Sequence, residues 1–393
     1  MKILLLHNRY RQRGGEDVCV EAHEQLLRER GHEVRLLEAH NREIASAGSE
    51  FEAAAGCFYS RKWSARVRRE IAEFRPDVAH VHNVFPLLSP GVISACKSAG
   101  VPVVQTLHNY RLMCPAGTLY RDGKICEDCV GRLYPWPGVV HACYRGSRLG
   151  TAVVGAGIML HRGLRTYAKQ VDCFAVLTDF ARAKFAALPL PAERFRKLPN
   201  WTSQDPGMGE GKGGFFLFAG RLTPEKGIAT LLAAWSKLPS GMLLKIAGAG
   251  PMEDAVRRAA AASSSIEYLG FQPAETIHGL MRQATGVLLP SQWYEGLPLT
   301  LVESFATGTP VIASRLGGLA ELVSEGRTGW LFPACDAAAL AAAIEQAAAN
   351  PAGLAAMRRE ARNEYEAHYS AECAYRGLME LYATAIARRG EKK

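Results

Sequence analysis

Short apolar runs alternate with segments of helical period along the chain. In the C-terminal half, the runs FFLFAG, LLKIAGAG, IEYLG and GVLLPS each lead through a turn into a helix-like segment. Uninterrupted apolar runs are typical of strands that are buried on both faces of a parallel sheet. The four successive strand–turn–helix units therefore predict a parallel sheet with a ligand site at the carboxyl ends of its strands.

The N-terminal half shows the same alternation, with apolar runs in KILLLHN, EVRLLEA, DVAHVHN, VPVVQTLHN and VDCFAVLT. A stretch rich in glycine, proline and polar residues, about 199–214, separates the two halves. The pattern predicts an α/β protein with two Rossmann-like lobes that face each other across a cleft. We place the lobes at residues 1–200 and 201–370, and we expect a last helix, 371–393, to pack back on the first lobe.

Length and composition agree with this architecture. A chain of 393 residues is too long for one ordinary core, and its 48% hydrophobic and 22% charged residues are usual for a globular protein. No run approaches the roughly 18 apolar residues of a membrane-spanning helix. The start, MKILLLHN, is too short for a signal-peptide core and indicates a first strand instead. We therefore expect a cytoplasmic protein with reduced cysteines.

Two glutamates eight positions apart give the strongest chemical signal. Glu295 lies in the predicted turn after GVLLPS, and Glu303 lies in the helix that Pro298 is expected to open at its first position. A helix N-terminus attracts anions, above all phosphate, and carboxylates accept hydrogen bonds from hydroxyl-rich ligands. The combination predicts a site for a phosphate-linked sugar or ribose. The alternative is one solvated turn glutamate and one glutamate that only favours the helix dipole.

Basic and glycine-rich turns lie upstream of these glutamates. Arg221 and Lys226 flank the turn after FFLFAG. Arginine suits bidentate phosphate contacts, and lysine supplies a compact positive charge. The next turn contains Gly248 and Gly250, but its sequence GAGP lacks the third glycine of the dinucleotide-binding motif. The two basic residues therefore give the more specific indication of a phosphate site.

The order of FAGRLTPEKG, IAGAGP, YLGF, EGLPLTLVES, GTPVIAS and TGWLF resembles the nucleotide-sugar lobe of glycosyltransferase family 4, which has the GT-B fold. The resemblance is close over about residues 215–335 and looser in the N-terminal half. It implies that Arg221 and Lys226 hold the donor diphosphate, that Glu303 binds the nucleotide ribose, and that Glu295 faces the donor sugar. Further donor-site residues that it implies are Gly250, Phe271, Gly296 and Leu297, of which the last two offer backbone N–H groups to phosphate.

Candidate residues of the N-terminal half follow predicted strands. Gly14 and Gly15 come after the first strand, where glycine would let the backbone approach the donor phosphates; a plain loop is the alternative. His108 ends the TLHN segment and, by the resemblance, lies against the donor sugar, although Asn109 replaces an aspartate that is frequent in the family. The alternative for His108 is a structural role. His80 and His82 end another strand, and either is a further candidate for the border of the acceptor site.

An insert at about residues 110–146 holds four of the ten cysteines: Cys114, Cys126, Cys129 and Cys143. The middle two form a C-x2-C pair with one cysteine on each side. In a reducing compartment this arrangement predicts a structural zinc site with four cysteine ligands, which would order a segment that has few core residues. His141 is a substitute ligand for Cys143. The alternatives are disulfides, which the compartment disfavours, and C-x-x-C redox chemistry, which does not need the outer pair.

The positive charge lies in the first half. Residues 1–200 hold 29 Lys and Arg against 19 Asp and Glu, whereas residues 201–393 hold 18 against 19. Within RKWSARVRREIAEF, Trp63, Val67 and Ile71 share one helix face among basic residues. This segment is either a basic amphipathic helix that contacts anionic membrane or a surface helix whose apolar stripe packs on the sheet. No aromatic platform or motif supports a nucleic-acid partner.

The resemblance implies a retaining glycosyltransferase of bacterial cell-surface polysaccharide synthesis. It would move a sugar from a UDP- or GDP-linked donor to a saccharide or lipid-linked acceptor, with peripheral contact at the inner face of the cell membrane. The sequence contains no Asp-x-Asp pair, so we expect no catalytic divalent metal. Three alternatives stay open: an epimerase or hydrolase of similar fold, a zinc-containing nucleic-acid-binding protein, and a non-catalytic sugar-nucleotide sensor.

Overall fold

A computed structural model describes residues 1–390. The chain divides into two compact units. The N-terminal unit comprises residues 1–119, 126–199 and 374–390, and the C-terminal unit comprises residues 120–125 and 200–373. The change of unit after Pro199 lies one residue before the sequence-based boundary. The cysteine insert differs from the expectation, because its segment 120–125 belongs to the C-terminal unit.

The strands are β1 (Lys2–Arg9), β2 (Glu33–His40), β3 (Val78–Val81), β4 (Val103–Leu107), β5 (Tyr120–Arg121), β6 (Lys124–Ile125), β7 (Cys173–Val176), β8 (Phe195–Lys197), β9 (Phe215–Ala219), β10 (Leu243–Ala247), β11 (Ile266–Gly270), β12 (Gly286–Leu289), β13 (Val311–Ser314) and β14 (Gly329–Phe332). The helices are α1 (Gly15–Glu29), α2 (Ala47–Gly56), α3 (Arg61–Phe74), α4 (Gly91–Ser98), α5 (Trp136–Val140), α6 (Arg148–Gly163), α7 (Thr166–Gln170), α8 (Asp179–Phe185), α9 (Ile228–Trp235), α10 (Glu253–Ala262), α11 (Ala274–Gln283), α12 (Leu299–Ala306), α13 (Gly317–Leu322), α14 (Ala337–Ala348), α15 (Pro351–His368) and α16 (Ala371–Gly390).

The N-terminal unit contains a six-stranded parallel sheet in the order β2-β1-β3-β4-β7-β8. The apolar run of β1 is fully buried, as expected for a strand whose two faces are both covered. The strand order reverses between β1 and β3. Helix α16 lies in this unit, where the Tyr382 hydroxyl is 2.9 Å from His80 Nδ1 and the Tyr375 hydroxyl is 3.0 Å from His32 Nε2.

The C-terminal unit contains a second six-stranded parallel sheet, in the order β11-β10-β9-β12-β13-β14. Every apolar run that predicts a strand in this half forms one. The strand order is that of a Rossmann fold, and it reverses between β9 and β12. In open sheets of this kind, ligands bind at the carboxyl ends of the strands on either side of the reversal. The two predicted Rossmann-like lobes are therefore confirmed.

Helix α3 packs its apolar stripe inside the N-terminal unit. Trp63, Val67 and Ile71 are all buried, and the exposed Arg66 stacks its guanidinium 5.1 Å from the Trp63 ring centroid. The Ser60 hydroxyl caps the helix by accepting a hydrogen bond from Trp63 N. The stripe is core, so of the two alternatives the structure supports the surface helix whose apolar face packs inside the unit. Among the described residues, no helix combines the length and hydrophobicity that crossing a membrane requires.

Candidate active site

Two loops interlock where the strand order of the C-terminal sheet reverses. One follows β9 and contains Arg221 and Lys226; the other follows β12 and contains Glu295. Gly227 has φ of +76°, and a Cβ atom there would lie 1.8 Å from the Pro290 carbonyl oxygen. Glycine is therefore required for the two loops to approach this closely.

An ion pair connects these loops. Lys226 Nζ donates to Glu295 Oε1 at 2.7 Å, and the Ser291 hydroxyl donates to the same oxygen at 2.7 Å. Glu295 is only 5% exposed. Burial alone would raise the pKa of this carboxyl, but the Lys226 charge and the two hydrogen bonds outweigh it and hold the pKa below its usual value. Glu295 is thus an ionised carboxylate that orients the Lys226 ammonium.

Arg221 stands apart from this pair. Its side chain is 57% exposed, and Nη2 lies 3.7 Å from Glu225 Oε1, which is a loose contact. The guanidinium can therefore turn toward a ligand without breaking a buried interaction. The structure places both predicted basic residues at the carboxyl end of β9, as a phosphate site requires.

The turns after β10 and β11 lie beside the loop after β9. Gly250 has φ of +154°, and a Cβ atom there would lie 2.6 Å from the Leu222 carbonyl oxygen. Its visible role is therefore to let the GAGP turn pack against the basic loop. Phe271 follows β11 and is 79% exposed, which leaves its ring open to a ligand.

Helix α12 begins one residue later than expected. Pro298 is the N-cap residue, with an extended ψ of 131°, and it is not the first helical residue. The reason is that its carbonyl already accepts the hydrogen bond from Leu301 N at 3.0 Å, while the proline ring supplies no N–H. The turn before it, Gly296–Leu297, is fixed by Asn200, whose Nδ2 donates to the Leu297 carbonyl at 2.7 Å.

Glu303 lies in α12 beside a histidine that the sequence did not single out. His278 Nε2, on α11, is 3.6 Å from Glu303 Oε1, and that nitrogen makes no hydrogen bond in the structure. His278 is buried, whereas the Glu303 side chain is about one-fifth exposed. The carboxylate therefore keeps an accessible side for hydroxyl donors.

The β5–β6 hairpin of the cysteine insert contacts the loop after β12. The Tyr120 hydroxyl donates to Gln292 Oε1 at 3.1 Å, and Gln292 Nε2 donates to the Thr230 hydroxyl at 2.9 Å. Gln292 N also donates to the Glu225 carbonyl at 2.8 Å. Gln292 therefore joins three segments around the basic loop. Sequence reasoning missed this residue because its partners lie up to 172 positions away.

In the N-terminal unit, the loop after β1 leads into α1 at Gly15. Gly14 N donates to Asp17 Oδ2 at 2.8 Å, and Asp17 Oδ1 lies 2.8 Å from His7 Nε2. Gly14 has an ordinary φ of −122°, and a Cβ atom there would meet nothing closer than 3.9 Å. The chain's own packing thus leaves open space at Gly14.

The carboxylate of Glu16, which belongs to no recognisable motif, explains why position 109 is an asparagine. Asn109 Nδ2 donates to Glu16 Oε1 at 2.8 Å, and the Tyr10 hydroxyl donates to Oε2 at 2.9 Å. Burial raises the pKa of Glu16 in spite of these hydrogen bonds. An aspartate at position 109 would place a second carboxylate against Glu16, whereas asparagine supplies the donor that Glu16 needs.

Five histidines gather at the carboxyl ends of β1, β3 and β4, and we call them the histidine cluster: His7, His23, His80, His82 and His108. His82 Nδ1 is 2.9 Å from His108 Nε2, and the His80 and His82 rings stack at 4.2 Å. Burial, followed by the neighbouring imidazoles, lowers the pKa of His23 and of His108 to about 3. His108 is therefore a neutral imidazole at physiological pH.

The expected place at the acceptor site is corrected for His80 by its burial, whereas His82 lines the pocket described below. His80 is fully buried, and its two ring nitrogens lie within hydrogen-bonding distance of the Tyr382 and Thr106 hydroxyls. The described residues contain one group of three metal-ligating side chains whose donor atoms lie within 4.8 Å of one another, His23, His80 and His82. Because His80 is already engaged and stacks on His82, the in-plane lone pairs do not converge on one ion.

Comparison with known proteins agrees with this geometry. The family described as "Glycosyl transferases group 1" matches residues 204–364, and the "Glycosyl transferase 4-like domain" matches residues 14–201. The chain belongs to the group 1 glycosyltransferases.

Individual relatives match part of the chain. It is 32% identical over 176 residues to the amylovoran biosynthesis glycosyltransferase AmsK of Erwinia amylovora, over 42% of this chain and 43% of that protein. It is 31% identical over 183 residues to a Mycobacterium tuberculosis glycogen synthase, over 45% and 44%. The matches span less than half the length of these relatives.

Solved structures show that this glycosyltransferase has the GT-B fold. The Anabaena protein HepE, solved in complex with UDP, superposes with a TM-score of 0.69 at 16% identity, over 98% of this chain and all of that one. The sucrose-phosphate synthase of Thermosynechococcus elongatus superposes with a TM-score of 0.71 at 19% identity, over 98% and 99%. At such identities the similarity concerns the fold alone.

The N-terminal unit of the glycosyltransferase also holds a pocket. It encloses about 1000 Å³ of space, part of it open to solvent. His108 and Asn109 line it at the end of β4, and α6 supplies much of its apolar wall. The cationic residues of its lining are Arg111, Arg162 and Arg165. The pocket therefore suits a ligand with an apolar part and an anionic group.

The four insert cysteines lie in the N-terminal unit of the glycosyltransferase. Cys114 and Cys129 are buried, and Cys126 and Cys143 are half-buried. Burial first, and then the nearby thiols of the other three cysteines, raise the pKa of Cys129 to about 11. The other three cysteines therefore lie near enough to Cys129 to oppose ionisation of its thiol, although burial is the larger cause.

Proposed function

We propose that this group 1 glycosyltransferase transfers a sugar from a nucleotide-sugar to a saccharide or lipid-linked acceptor, with retention of configuration. The observation that carries the proposal is the ion pair between Lys226 and Glu295 at the strand reversal, with the accessible Arg221 beside it. HepE was solved in complex with UDP and with UDP-glucose, which favours a UDP-linked donor. Relatives in amylovoran and colanic acid biosynthesis favour a polysaccharide product.

The donor would be held by charge and by backbone groups. Arg221 and Lys226 would contact the diphosphate, and the N–H groups of Gly296 and Leu297 would face the same oxygens. Glu303 would accept hydrogen bonds from the ribose hydroxyls. As the bond to the sugar breaks, negative charge grows on the leaving diphosphate, and these fixed positive groups would stabilise it. No divalent metal is needed in this scheme.

Glu295 and His108 are the side chains that we propose for contacts to the sugar. Glu295 would orient Lys226 and accept from a sugar hydroxyl, and the neutral His108 would serve as a hydrogen-bond partner without adding charge. Gly14 and Gly15 stay predicted phosphate contacts, and the open space at Gly14 leaves the backbone there accessible to a ligand. The cationic, partly apolar pocket of the N-terminal unit would take the acceptor, and a lipid-linked diphosphate acceptor at the inner face of the membrane fits its chemistry.

The test is turnover with a panel of UDP- and GDP-sugars, with and without saccharide acceptors. We expect nucleoside diphosphate release that depends on acceptor, and an NMR spectrum of the product that shows the anomeric configuration of the donor. Arg221→Ala should lower kcat/KM at least about tenfold. Binding of donor with no turnover would instead identify a sensor, and conversion of the donor without acceptor would identify an epimerase or hydrolase.

We also propose a structural zinc ion in the insert, held by Cys114, Cys126, Cys129 and Cys143. The support is the C-x2-C spacing, together with the position of the other three cysteines near enough to Cys129 to affect the ionisation of its thiol. Elemental analysis should find about one zinc per chain, and Cys126→Ser with Cys129→Ser should remove it. Brief EDTA treatment should leave initial rates unchanged. Active protein without zinc and with four titratable thiols would contradict the proposal.

A further inference from the structure

Exposed apolar side chains concentrate on one surface of the N-terminal unit. Of the thirteen large hydrophobic residues that are exposed in the described chain, seven lie between positions 133 and 164. Exposed hydrophobic residues are usually scattered singly over a protein surface, and these are not. Their exposed fractions run from 38% to 77%. We call this surface the α5–α6 face: Leu133, Trp136, Val140, Leu149, Met159, Leu160 and Leu164.

Helix α6 explains why the apolar residues form a continuous surface. Leu149, Val153, Ala156 and Leu160 follow the spacing of one helix face, and all are exposed or half-buried. The opposite face, which includes Val154, is buried. A helix that is apolar all round is normally buried all round. Here one apolar side has no cover from the described chain.

The segment before α5 and α5 itself extend the same surface. The Tyr134 hydroxyl donates to the Ala152 carbonyl at 3.4 Å, and Arg162 donates to the Arg132 carbonyl. A Cβ atom at Gly155 would lie 3.1 Å from the Tyr134 ring, so glycine allows the segment to pack closely along the helix. Leu133 and Trp136 are therefore held beside α6.

The segment that forms the α5–α6 face carries charges of one sign. Residues 130–171 contain no aspartate or glutamate. Arg145 and Arg148 lie at the start of α6, and Arg165 and Lys169 follow its end. A second copy of the chain docked through this face would bring two cationic rims together. An apolar strip with cations at both ends instead complements a surface that is apolar inside and anionic outside.

We propose that the α5–α6 face docks on an anionic lipid bilayer, with α6 lying in the plane of the interface. The helix has 16 residues, so it is about 24 Å long and rests on the bilayer without crossing it. The other side of α6 supplies Val154, Gly157 and Ile158 to the wall of the cationic pocket. If that pocket takes the acceptor, as the proposed function has it, one helix would touch both the bilayer and a lipid-linked acceptor.

Vesicle co-sedimentation of the full chain tests the proposal. We expect binding to vesicles of phosphatidylglycerol and phosphatidylcholine, little binding to phosphatidylcholine alone, and weaker binding at high salt. Leu149→Ser with Leu164→Ser should lower the partition coefficient at least about tenfold. Arg145→Gln with Arg148→Gln should lower it on anionic vesicles only. All four side chains are exposed, and thermal unfolding would verify that the variants fold.

Two controls separate this surface from others. Phe51→Ser removes an equally exposed apolar residue from α2 and should leave vesicle binding unchanged, as should Lys62→Gln with Arg69→Gln on the basic face of α3. The proposal is overturned if the wild type does not bind anionic vesicles, or if only the α3 variant loses binding. It is also overturned if the wild type is a dimer and the Leu149→Ser, Leu164→Ser variant is a monomer that still binds vesicles. Turnover with a water-soluble acceptor should be unchanged in the leucine variant. Loss of turnover in the wild type with intact vesicle binding would count against the proposed function alone.

Discussion

Replacing Lys226 by methionine tests the ion pair at the strand reversal. Methionine keeps much of the length and apolar surface of lysine but removes the charge. Glu295 would then be a carboxylate of 5% exposure that retains the Ser291 hydrogen bond and has lost the cation. Removing one partner of a fully buried pair costs about 3–5 kcal/mol. Because Lys226 is one-fifth exposed, we expect the free energy of unfolding to fall by about 2–3 kcal/mol.

Adding Glu295→Gln separates the effect on stability from the effect on catalysis. The neutral amide no longer needs a cation, so the double variant should regain about 1–2 kcal/mol of the loss. Its kcat/KM should nevertheless stay at least about tenfold below that of the wild type, because the positive charge on the diphosphate is still missing. Thermal unfolding of the ligand-free protein, in which 2–3 kcal/mol corresponds to roughly 5–10 °C, measures the first effect. Initial rates at low donor concentration measure the second.

Arg221→Met is the matched control. Arg221 is largely exposed and makes a loose contact with Glu225, so its loss should change stability by less than about 0.5 kcal/mol while activity falls at least about tenfold. The reasoning is refuted if Lys226→Met leaves the melting temperature unchanged. It is also refuted if the double variant regains wild-type activity, because Lys226 would then have acted only as the partner of Glu295.

Three further outcomes are expected. Glu303→Gln should weaken binding of the free nucleoside diphosphate, whereas Glu295→Gln should lower turnover with little change in that binding. Titration calorimetry with the nucleoside diphosphate, together with initial rates of transfer, distinguishes the two variants. Equal weakening of nucleotide binding in both would contradict the division of roles. Tyr120→Phe should raise the KM for donor about two- to fivefold with little change in melting temperature, because Gln292 loses one donor; an unchanged KM would exclude a positioning role. Acid should destabilise the protein, since burial holds the pKa of His23, His80, His82 and His108 low in the fold, while the same side chains bind protons near pH 6.5 when unfolded. The free energy of unfolding should therefore decline as pH falls below about 6.5, by up to about 1.4 kcal/mol per pH unit for each histidine. A free energy from urea unfolding that stays constant between pH 7.5 and 5 would contradict this.

The strands of both units could be predicted from the sequence because each is a short apolar run with turn residues at its end. The meeting of Lys226 and Glu295 could be expected as well, because the residues that follow β9 and β12 lie close together wherever these strands are neighbours. Periodicity could not decide which face of α3 is buried, since a stripe on the core and a stripe on a membrane have the same spacing. Only the packing of Trp63 and Val67 distinguishes them.

Side-chain contacts between positions far apart in the sequence could not be predicted. Tyr120 and Gln292 are 172 residues apart. Such contacts depend on strand order and on the path of the insert, neither of which leaves a local signal. The burial of His80 is of the same kind, because it depends on Tyr382 of the C-terminal helix. The α5–α6 face could not be predicted either, because apolar residues at helical spacing look the same whether or not another segment covers them.

Helix α16 has a consequence for biosynthesis. Tyr382 reaches His80 across 302 positions, and Tyr375 reaches His32 across 343, so β3 and the start of β2 meet their partners only after the whole C-terminal unit has been translated. Domains usually fold in the order in which they leave the ribosome. Here the N-terminal unit is translated before the C-terminal unit but completes its packing after it. The surface that α16 covers would therefore stay exposed to chaperones throughout elongation. A nonsense mutation upstream of α16 would therefore damage the N-terminal unit, whose strands are encoded far before it.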